Sequence, residues 1–498
     1  MRIKTLSHYL VLLIAGTLFP LSLAPLSLWP MAIISMVILF SSLYQQSAKD
    51  AFKRTLVFGL GMFGAGVSWV FVSMYFFGDI SILLALIGTF VFCFFNSVFF
   101  SLPFLLCAFI PKRNSLWLVA LPAIWVLSEW YRSWIFTGFP WLYAGYSHTD
   151  TWLNGWAPIG GVLLLSYFTA LLATVLSQLW LHKNLSLSLA AFSLFLTLFL
   201  SGLALQKINW TKPADKPISV ALIQPNVDQS DKWSPSMRSQ ILKNLVSQTQ
   251  PHWGTDIIIW PEGAIPVLYT QVSDFLNIIH QQALTHKTAL ITGLPSNSNP
   301  EGPYYNSMLA LGEGNGIYNK TRLVPFGEYV PFEAVIRGLN NFFDLPMSSF
   351  SLGNNYQQPL KAAGVNISTA ICYEIAYPDL VARNTRNTSI LLTASNDAWF
   401  GNSIAPYQHV QMARMRAIEN TKPVIRGTNN GITAIIDHRG QFISQLDQFS
   451  SGELTGEVIP HHGETPFSRY ASWPVVIFCL IIILGLGSYR LRIKILGD

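Results

Sequence analysis

The chain has 498 residues, of which only 11% are charged and 51% apolar, against about 25% charged in ordinary globular chains. That excludes a soluble enzyme, because so much apolar surface must face something other than water. The formal charge of +6 is uneven: residues 1–206 carry 9 Lys and Arg against 4 Asp and Glu, residues 207–470 carry 19 against 20, and the tail adds 3 against 1. The basic excess sits in the hydrophobic parts, so a nucleic-acid-binding surface gains no support.

Apolar stretches of at least about 17 residues, enough to cross a bilayer, recur at 8–28, 29–45, 55–77, 81–110, 115–136, 159–182, 186–206 and 473–489. They predict eight spans. The first has the outline of a signal peptide, with Arg2 and Lys4 before an apolar run ending in Ser22-Leu23-Ala24. Pro25 follows that site directly and further spans come next, so a retained helix is expected. Eight crossings place Lys49, Lys53, Arg54, Lys112, Arg113 and Lys183 on the same side as Arg2, Lys4, Arg490, Arg492 and Lys494. Only Arg132 lies near the other face. The positive-inside rule then puts both termini in the cytoplasm and 207–470 outside, which in a Gram-negative bacterium is the periplasm. The expected domains are 1–206 with seven spans, 207–470 as the external domain, and 471–498 with the eighth span and a cytoplasmic tail.

In the external segment, short apolar or β-branched runs at 218–226, 256–263, 288–295, 307–312, 365–374 and 389–397 each end in turn or polar residues. Helical patterns lie at 235–252, 272–287 and 407–421, the first with Met237, Ile241, Leu242, Leu245 and Val246 on one stripe. Strands alternating with helices predict a layered α/β domain, whose functional residues tend to lie just past strand ends. Glu262, Cys372 and Asn396-Asp397 lie at such ends, and Lys320 sits in a loop punctuated by Pro325, Gly327 and Pro331. Cys372 is the only cysteine outside the spans, which hold Cys93, Cys107 and Cys479, so no disulfide can form within this domain.

The order WPEG (260–263), YNKTRLVPFGEYVP (318–331) and ICYE (371–374) resembles the Glu-Lys-Cys pattern of the nitrilase (carbon-nitrogen hydrolase) superfamily. With eight spans around such a domain, the chain resembles the apolipoprotein N-acyltransferase family over nearly its full length. TGFPWLYAGYS (137–147), IQPNVDQSDKW (223–233) and NDAWFG (396–401) also fit. Each string alone is weak; all of them in order are specific. The resemblance implies an α-helical membrane bundle of about eight transmembrane helices plus an external nitrilase-like domain, an αββα sandwich. It also implies an acyltransferase of the bacterial inner membrane.

Acyl transfer needs a nucleophile, a group that manages its proton and donors aimed at the developing oxyanion. Cys372 suits the first task. Its thiol, near pKa 8.5 when unperturbed, is largely neutral at pH 7, so Glu262 is the expected general base. A nearby carboxylate raises a thiol pKa, so the resting pair is expected to be a neutral thiol beside an ionised Glu262. The Lys320 ammonium offsets that carboxylate and donates to the tetrahedral oxygen. The resemblance adds the Tyr373 backbone N–H as a second donor, Glu328 as a residue orienting Lys320, and Asn306, Tyr373, Glu374, Trp399 and Phe400 as pocket-shaping positions. Trp233 would be a mobile cover over the entrance.

The resemblance also supplies the substrates. Cys372 takes an acyl chain from a phospholipid as a thioester, and the α-amino group of an N-terminal S-diacylglyceryl cysteine on an apolipoprotein discharges it. No cofactor, metal or nucleic acid is expected, and the protein is expected to be a monomer. The segment 137–147, after Glu129 and Arg132, is expected at the outer interface as a lipid entry or an aromatic belt, and Glu129 and Arg132, three apart on a helix, as a pair. Alternatives are a membrane-anchored nitrilase-type amidohydrolase, in which water resolves the thioester, and a transporter, disfavoured by the few ionisable residues in the spans. A Cys-His protease would draw on His252, His280, His286 or His409, none of which stands in a motif with Cys372. His461-His462 lacks a matching ligand cluster and is expected to mark the exposed approach to the last span.

Overall fold

The computed structural model describes residues 2–78, 80–111, 114–182, 185–297, 302–329 and 350–496. Lys112, Arg113, Lys183 and Pro331, and positions 340–349 of the unmatched stretch between the motifs, lie outside the described residues. The chain divides into two compact units. One comprises residues 1–71, 80–208 and 470–498, and the other 72–79 and 209–469.

The first unit is helical. Among the described residues, four helices are long and apolar enough to cross a membrane: Ile82–Phe109, Trp152–His182, Leu185–Leu205 and Trp473–Arg490. The bent pair Ala48–Gly66 and Val70–Phe77 makes a fifth if it counts as one span, and Leu6–Ser22 and Pro30–Leu43 are shorter apolar helices. Their outer faces leave Leu83, Leu86, Phe90, Phe192, Ile481 and Leu484 exposed. Arg2–Leu18 and Ala48–Gly66 meet backbone to backbone. A Cβ on Gly16 would lie 2.0 Å from the Phe58 carbonyl oxygen, and one on Gly61 2.1 Å from that of Leu13. Small residues at such crossings let dispersion contacts form along the whole interface.

Two expectations for this unit fail. Trp141, Tyr143 and Tyr146 of segment 137–147 are wholly or almost wholly buried, so most of the segment folds back into the helices rather than forming an exposed aromatic belt. Glu129 and Arg132 act on each other electrostatically but make no direct ion pair. Glu129 accepts from Trp125 Nε1 and the Ala144 N–H, both at 2.7 Å. Arg132 donates to the Trp141 carbonyl at 3.1 Å, with its guanidinium over the Phe63 and Tyr143 rings. The i,i+3 spacing brought them to one face, but the returning loop offered each a better partner.

The second unit contains fourteen described strands: β1 Lys212–Pro213, β2 Ile218–Gln224, β3 Ile257–Ile259, β4 Ala289–Asn297, β5 Tyr304–Gly312, β6 Ile317–Asn319, β7 Leu360–Ala362, β8 Val365–Ile371, β9 Ile390–Ser395, β10 Val424–Thr428, β11 Thr433–Ile436, β12 Phe442–Leu446, β13 Gly452–Val458 and β14 His461–His462. Two six-stranded sheets run β13-β2-β3-β4-β5-β6 and β12-β11-β10-β9-β8-β7, and β1 pairs with β14. Each sheet has three parallel strands at its centre, β2-β3-β4 in one and β8-β9-β10 in the other, with antiparallel strands outside. Parallel strands covered on both faces read as unbroken apolar runs, and IIIW and SILLTA are such runs.

Alternation along the strands sorts residues into layers. Val220, Leu222, Ile257 and Ile291 of the first sheet share one core with Ile367, Ile371, Leu392 and Ile425 of the second, so the sheets pack face to face. On the outer face of the first sheet, Ala221, Ile223 and Leu290 meet Ile241 and Leu245 of helix Arg238–Thr249 and Leu276 and Ile279 of helix Ser273–Thr285. On the outer face of the second, Leu391, Val424 and Ala434 meet Val381 of helix Pro378–Asn384 and Val410, Ala413 and Ala417 of helix Ala405–Asn420. The order is helix, sheet, sheet, helix. Glu262 follows β3, Lys320 follows β6, and Cys372 and Asn396 follow β8 and β9.

Candidate active site

The turn after β3 is fixed before its carboxylate is placed. Trp260 is wholly buried, with its Nε1 donating to Thr249 Oγ1 at 2.9 Å, and its backbone N–H donating to the Ile291 carbonyl of β4 at 2.8 Å. Neighbouring β4 passes so close that a Cβ on Gly293 would lie 2.6 Å from both the Gly263 nitrogen and the Pro261 oxygen. Glycine is required there by the approach of two backbones.

Glu262 thus enters a polar cluster with little water; it is 8% exposed and Lys320 1%. Lys320 Nζ donates to Glu262 Oε1 at 3.2 Å and to Glu328 Oε1 at 2.8 Å. The Asn306 side-chain amide spans the same two oxygens at 2.7 Å each. Glu262 Oε2 accepts the Asn396 backbone N–H at 2.8 Å, and Glu328 Oε2 accepts that of Val324, also at 2.8 Å. The backbone of Lys320 is held by its N–H to the Asn306 carbonyl and by its carbonyl to the Gly353 N–H, both at 2.8 Å. Burying an ammonium costs several kcal/mol unless charge and hydrogen bonds offset it, and here two carboxylates do.

Cys372 begins the turn after β8 and is partly accessible. Its φ of +51° is left-handed, a conformation costing a non-glycine residue about 1–3 kcal/mol. Neighbours hold it there. His409 Nε2 lies 3.1 Å from the Cys372 carbonyl, and because a carbonyl only accepts, Nε2 carries the proton. His409 Nδ1 lies 3.2 Å from Asp397 Oδ1, and Asp397 Oδ2 accepts Arg426 Nη2 at 2.6 Å. Glu374 closes the other side. Its Oε2 accepts the Ile371 N–H at 2.8 Å, and its Oε1 accepts the Thr321 N–H at 2.6 Å, the Thr321 hydroxyl at 2.7 Å and the Arg322 N–H at 3.2 Å. One buried carboxylate therefore ties the residue before Cys372 to the residue after Lys320.

The electrostatics separate the groups. Burial and the Glu262 carboxylate push the Cys372 thiol well above its ordinary value, with Lys320 pulling the other way. Burial would raise Glu262 too, but Lys320, the Asn306 amide and Lys232 outweigh it and hold this carboxyl below its usual value. For Lys320, burial is outweighed by Glu262, Glu328 and Cys372, and its ammonium is held well above the usual lysine value. Burial pushes Glu374 up, while the N–H groups of Ile371 and Thr321 and the Thr321 hydroxyl pull it back. At neutral pH the site holds a neutral thiol beside an ionised Glu262 and an ammonium.

Residues 15–175 match the family described as apolipoprotein N-acyltransferase N-terminal domain, and residues 219–462 match carbon-nitrogen hydrolase. The chain is 42% identical to an apolipoprotein N-acyltransferase of Pseudomonas syringae pv. tomato over 480 residues, 95% of each chain. It is 40% identical to one of Vibrio parahaemolyticus over 460 residues, 90% of each. The chain belongs to the apolipoprotein N-acyltransferase family. Among solved structures, it is similar to a carbon-nitrogen hydrolase superfamily protein from Xanthomonas campestris, with a TM-score of 0.36 and 17% identity, covering 53% of this chain and 97% of that one.

In this N-acyltransferase family member the remaining expected residues fall close by. Trp233 is half-buried, its ring 4.0 Å from where a Gly263 Cβ would lie. Tyr373 packs edge-on against Tyr377 at 5.2 Å. Trp399 meets Phe77 edge-on at 5.9 Å and its carbonyl accepts the Ser73 hydroxyl at 2.7 Å, while Phe400 lies against the His409 ring at 5.8 Å. Among the described residues no group of three or more His, Cys, Asp or Glu could hold a metal ion.

His409, named in sequence only as one of four histidines available for a Cys-His pair, contacts the Cys372 turn through the backbone carbonyl. His280 Nδ1 instead accepts the Gly312 N–H at 2.9 Å, and His286 packs on Trp253. His461 corrects another expectation: it is buried, stacked on His438 with centroids 4.2 Å apart, while His462 is exposed. In sequence Arg426 drew no notice, and Lys232 appeared only within the string IQPNVDQSDKW, with no role of its own. The available signal was their setting, a cation within or just beyond a segment otherwise patterned for burial.

Proposed function

We propose that the protein transfers a fatty acyl chain from a phospholipid to the α-amino group of an apolipoprotein's N-terminal S-diacylglyceryl cysteine, with Cys372 as nucleophile, Glu262 as general base and Lys320 as oxyanion donor. The observation that carries this reading is the buried Glu262–Lys320 pair at 3.2 Å, with Glu262 and Lys320 both acting electrostatically on Cys372. In the first stage the Cys372 sulfur attacks the ester carbonyl as its proton passes to Glu262. The C–O bond breaks, Glu262 returns the proton to the departing glycerol oxygen, and a lysophospholipid leaves behind a thioester. In the second stage the amine attacks the thioester carbon and Glu262 takes a proton from nitrogen. The C–S bond breaks, the proton returns to sulfur, and the product is an amide. The Lys320 ammonium stabilises both tetrahedral oxyanions, worth about 10²–10³ in rate for a single donor.

Glu328 and Asn306 orient Lys320, Glu374 holds the nucleophile turn against the Lys320 loop, and Trp233, Tyr373, Trp399 and Phe400 line the acyl chain's approach. Both substrates are lipid-anchored, and drawing an acyl chain into water costs about 0.8 kcal/mol per CH₂, which gives the apolar helices a purpose beyond anchoring. The reading extends to eight spans over 1–206 and 471–498, the domain 207–470 in the periplasm, both termini in the cytoplasm and a monomer in the inner membrane. Full-length relatives named as N-acyltransferases support amine rather than water as the acceptor.

The test is purified protein given phospholipid and then a diacylglyceryl-cysteinyl peptide. Triacylated peptide and lysophospholipid in equal amounts are expected, with neither from Cys372→Ala. Free fatty acid formed at the same rate without amide would favour the hydrolase.

A further inference from the structure

A second buried cation meets Glu262 through its backbone: Lys232, within the stretch IQPNVDQSDKW. Lys232 ends the short turn Gln229–Lys232 and is 3% exposed. Its Nζ donates to the Glu262 backbone carbonyl at 3.0 Å and lies 3.3 Å from where a Cβ on Gly263 would be. The turn is pinned a second time: Gln229 Oε1 accepts the Asn396 side-chain amide at 2.7 Å, and the Asn396 N–H donates to the Glu262 carboxylate. Lys232 acts electrostatically on both Glu262 and Cys372.

The charges explain why a second ammonium belongs there. Glu262 and Glu328 bring two negative charges to the single ammonium of Lys320. That cluster is therefore one charge negative, and it stays so as the charge Glu262 gives up on taking the thiol proton reappears on the oxyanion at Cys372. Behind the thiol, Asp397 is answered by Arg426 and contributes no net balance.

We propose that Lys232 is a positioning residue for acyl transfer, whose ammonium neutralises the excess negative charge of the Glu262–Glu328–Lys320 cluster and so allows the oxyanion to develop at Cys372. This rests on the acyl-transfer reading above. The groups facing Lys232 are Glu262 and Cys372, with Lys320 and Glu328 behind the first, Glu374 beyond Lys320, and Asp397, His409 and Arg426 behind the second; Asp228 and Asp231 lie on its own segment. Burial lowers its ammonium to about 8 against the opposing pull of Glu262 and Cys372, so the balance is lost as pH rises through 8.

The test follows the acylation half-reaction alone, as lysophospholipid release in a single turnover from pH 6 to 10, with no amine present. Wild type is expected to slow above about pH 8. Lys232→Arg, which stays charged throughout, is expected to keep its rate to higher pH. Lys232→Gln retains a donor for the Glu262 carbonyl but no charge, and is expected to be slower by roughly tenfold or more, as an opposite charge nearby shifts a carboxyl by about 1–3 pKa units. It is also expected to lack the break near pH 8. A Lys232→Gln rate within twofold of wild type, or the same alkaline break in all three proteins, would overturn the proposal. Acylation of wild-type Cys372 in the same experiment tests the acyl-transfer reading separately.

Discussion

Glu374→Gln changes almost no volume, yet Glu374 is fully buried and its carboxylate meets donors on both sides. Oε1 faces two backbone N–H groups and the Thr321 hydroxyl, Oε2 faces the Ile371 N–H, and the Tyr318 hydroxyl lies 3.1 Å from each. A glutamine must set its NH₂ against one of these sides. The milder choice is the Ile371 side, where one charge-assisted bond is lost, about 1.5–3 kcal/mol, and one buried N–H is left unsatisfied, about 1–3 kcal/mol more. A net cost of roughly 3–5 kcal/mol is expected. Ile371 immediately precedes Cys372 and Thr321 follows Lys320, so the same change loosens Cys372 and Lys320 together. If about 2.7 kcal/mol of that appears in the transition state, the rate falls 100-fold. The assay is kcat/KM for peptide acylation in detergent, alongside the thermal midpoint, which should drop by roughly 10 °C. A variant within twofold of wild type in kcat/KM at an unchanged midpoint would refute the reasoning.

Lys320→Met should lower the single-turnover acylation rate by about 10²–10³. Lys320→Arg should fail similarly, because the fork of a guanidinium does not fit a pocket bracketed at 3.2 and 2.8 Å; near-normal acylation by Lys320→Arg would count against the oxyanion role. With the Cys372 thiol pushed up, iodoacetamide should label it slowly at pH 7 and faster through pH 10, whereas rapid labelling with a plateau below pH 7 would indicate a resting thiolate. Glu262 is depressed and Lys320 raised. The stability of their pair should therefore persist between the ordinary carboxylate and lysine values of about 4.3 and 10.4, and be lost below the first through depressed Glu262 and above the second through raised Lys320; thermal midpoints falling already between pH 7 and 6 in wild type but not in Glu262→Gln would contradict this. Gly293→Ala should displace the turn carrying Glu262, costing about 1–3 kcal/mol in overpacking and lowering kcat more than the KM for phospholipid. An unchanged kcat would show that the turn adapts.

Strands β3 and β9 were legible because they are buried on both faces and therefore apolar without interruption, as in DIIIW and SILLTA. β6, which leads into Lys320, was read only as loop, and β7, β10, β11, β12 and β13 were not read as strands either. β12 has the exposure of an edge-side strand, with Phe442 and Ile443 open to solvent, and β13 alternates Glu and Thr with Gly, so neither stands out from a loop by composition. Motif order identified Glu262, Lys320 and Cys372, but no periodicity could bring together residues 58 and 52 positions apart. That required β3, β6 and β8 to end on the same side of two sheets. Lys232, His409 and Arg426 escaped because their roles depend on partners distant in sequence: the Glu262 carbonyl, the Cys372 carbonyl and Asp397.

The central claim is that the Cys372 sulfur carries the acyl chain between donor and acceptor. The most direct measurement is the mass of the Cys372-containing peptide after incubation with phospholipid alone and an acid quench. The account predicts a gain of one fatty acyl group, sensitive to hydroxylamine and absent from Glu262→Gln. An unmodified Cys372 peptide while lysophospholipid is being released, or an acyl group on another residue, would contradict it.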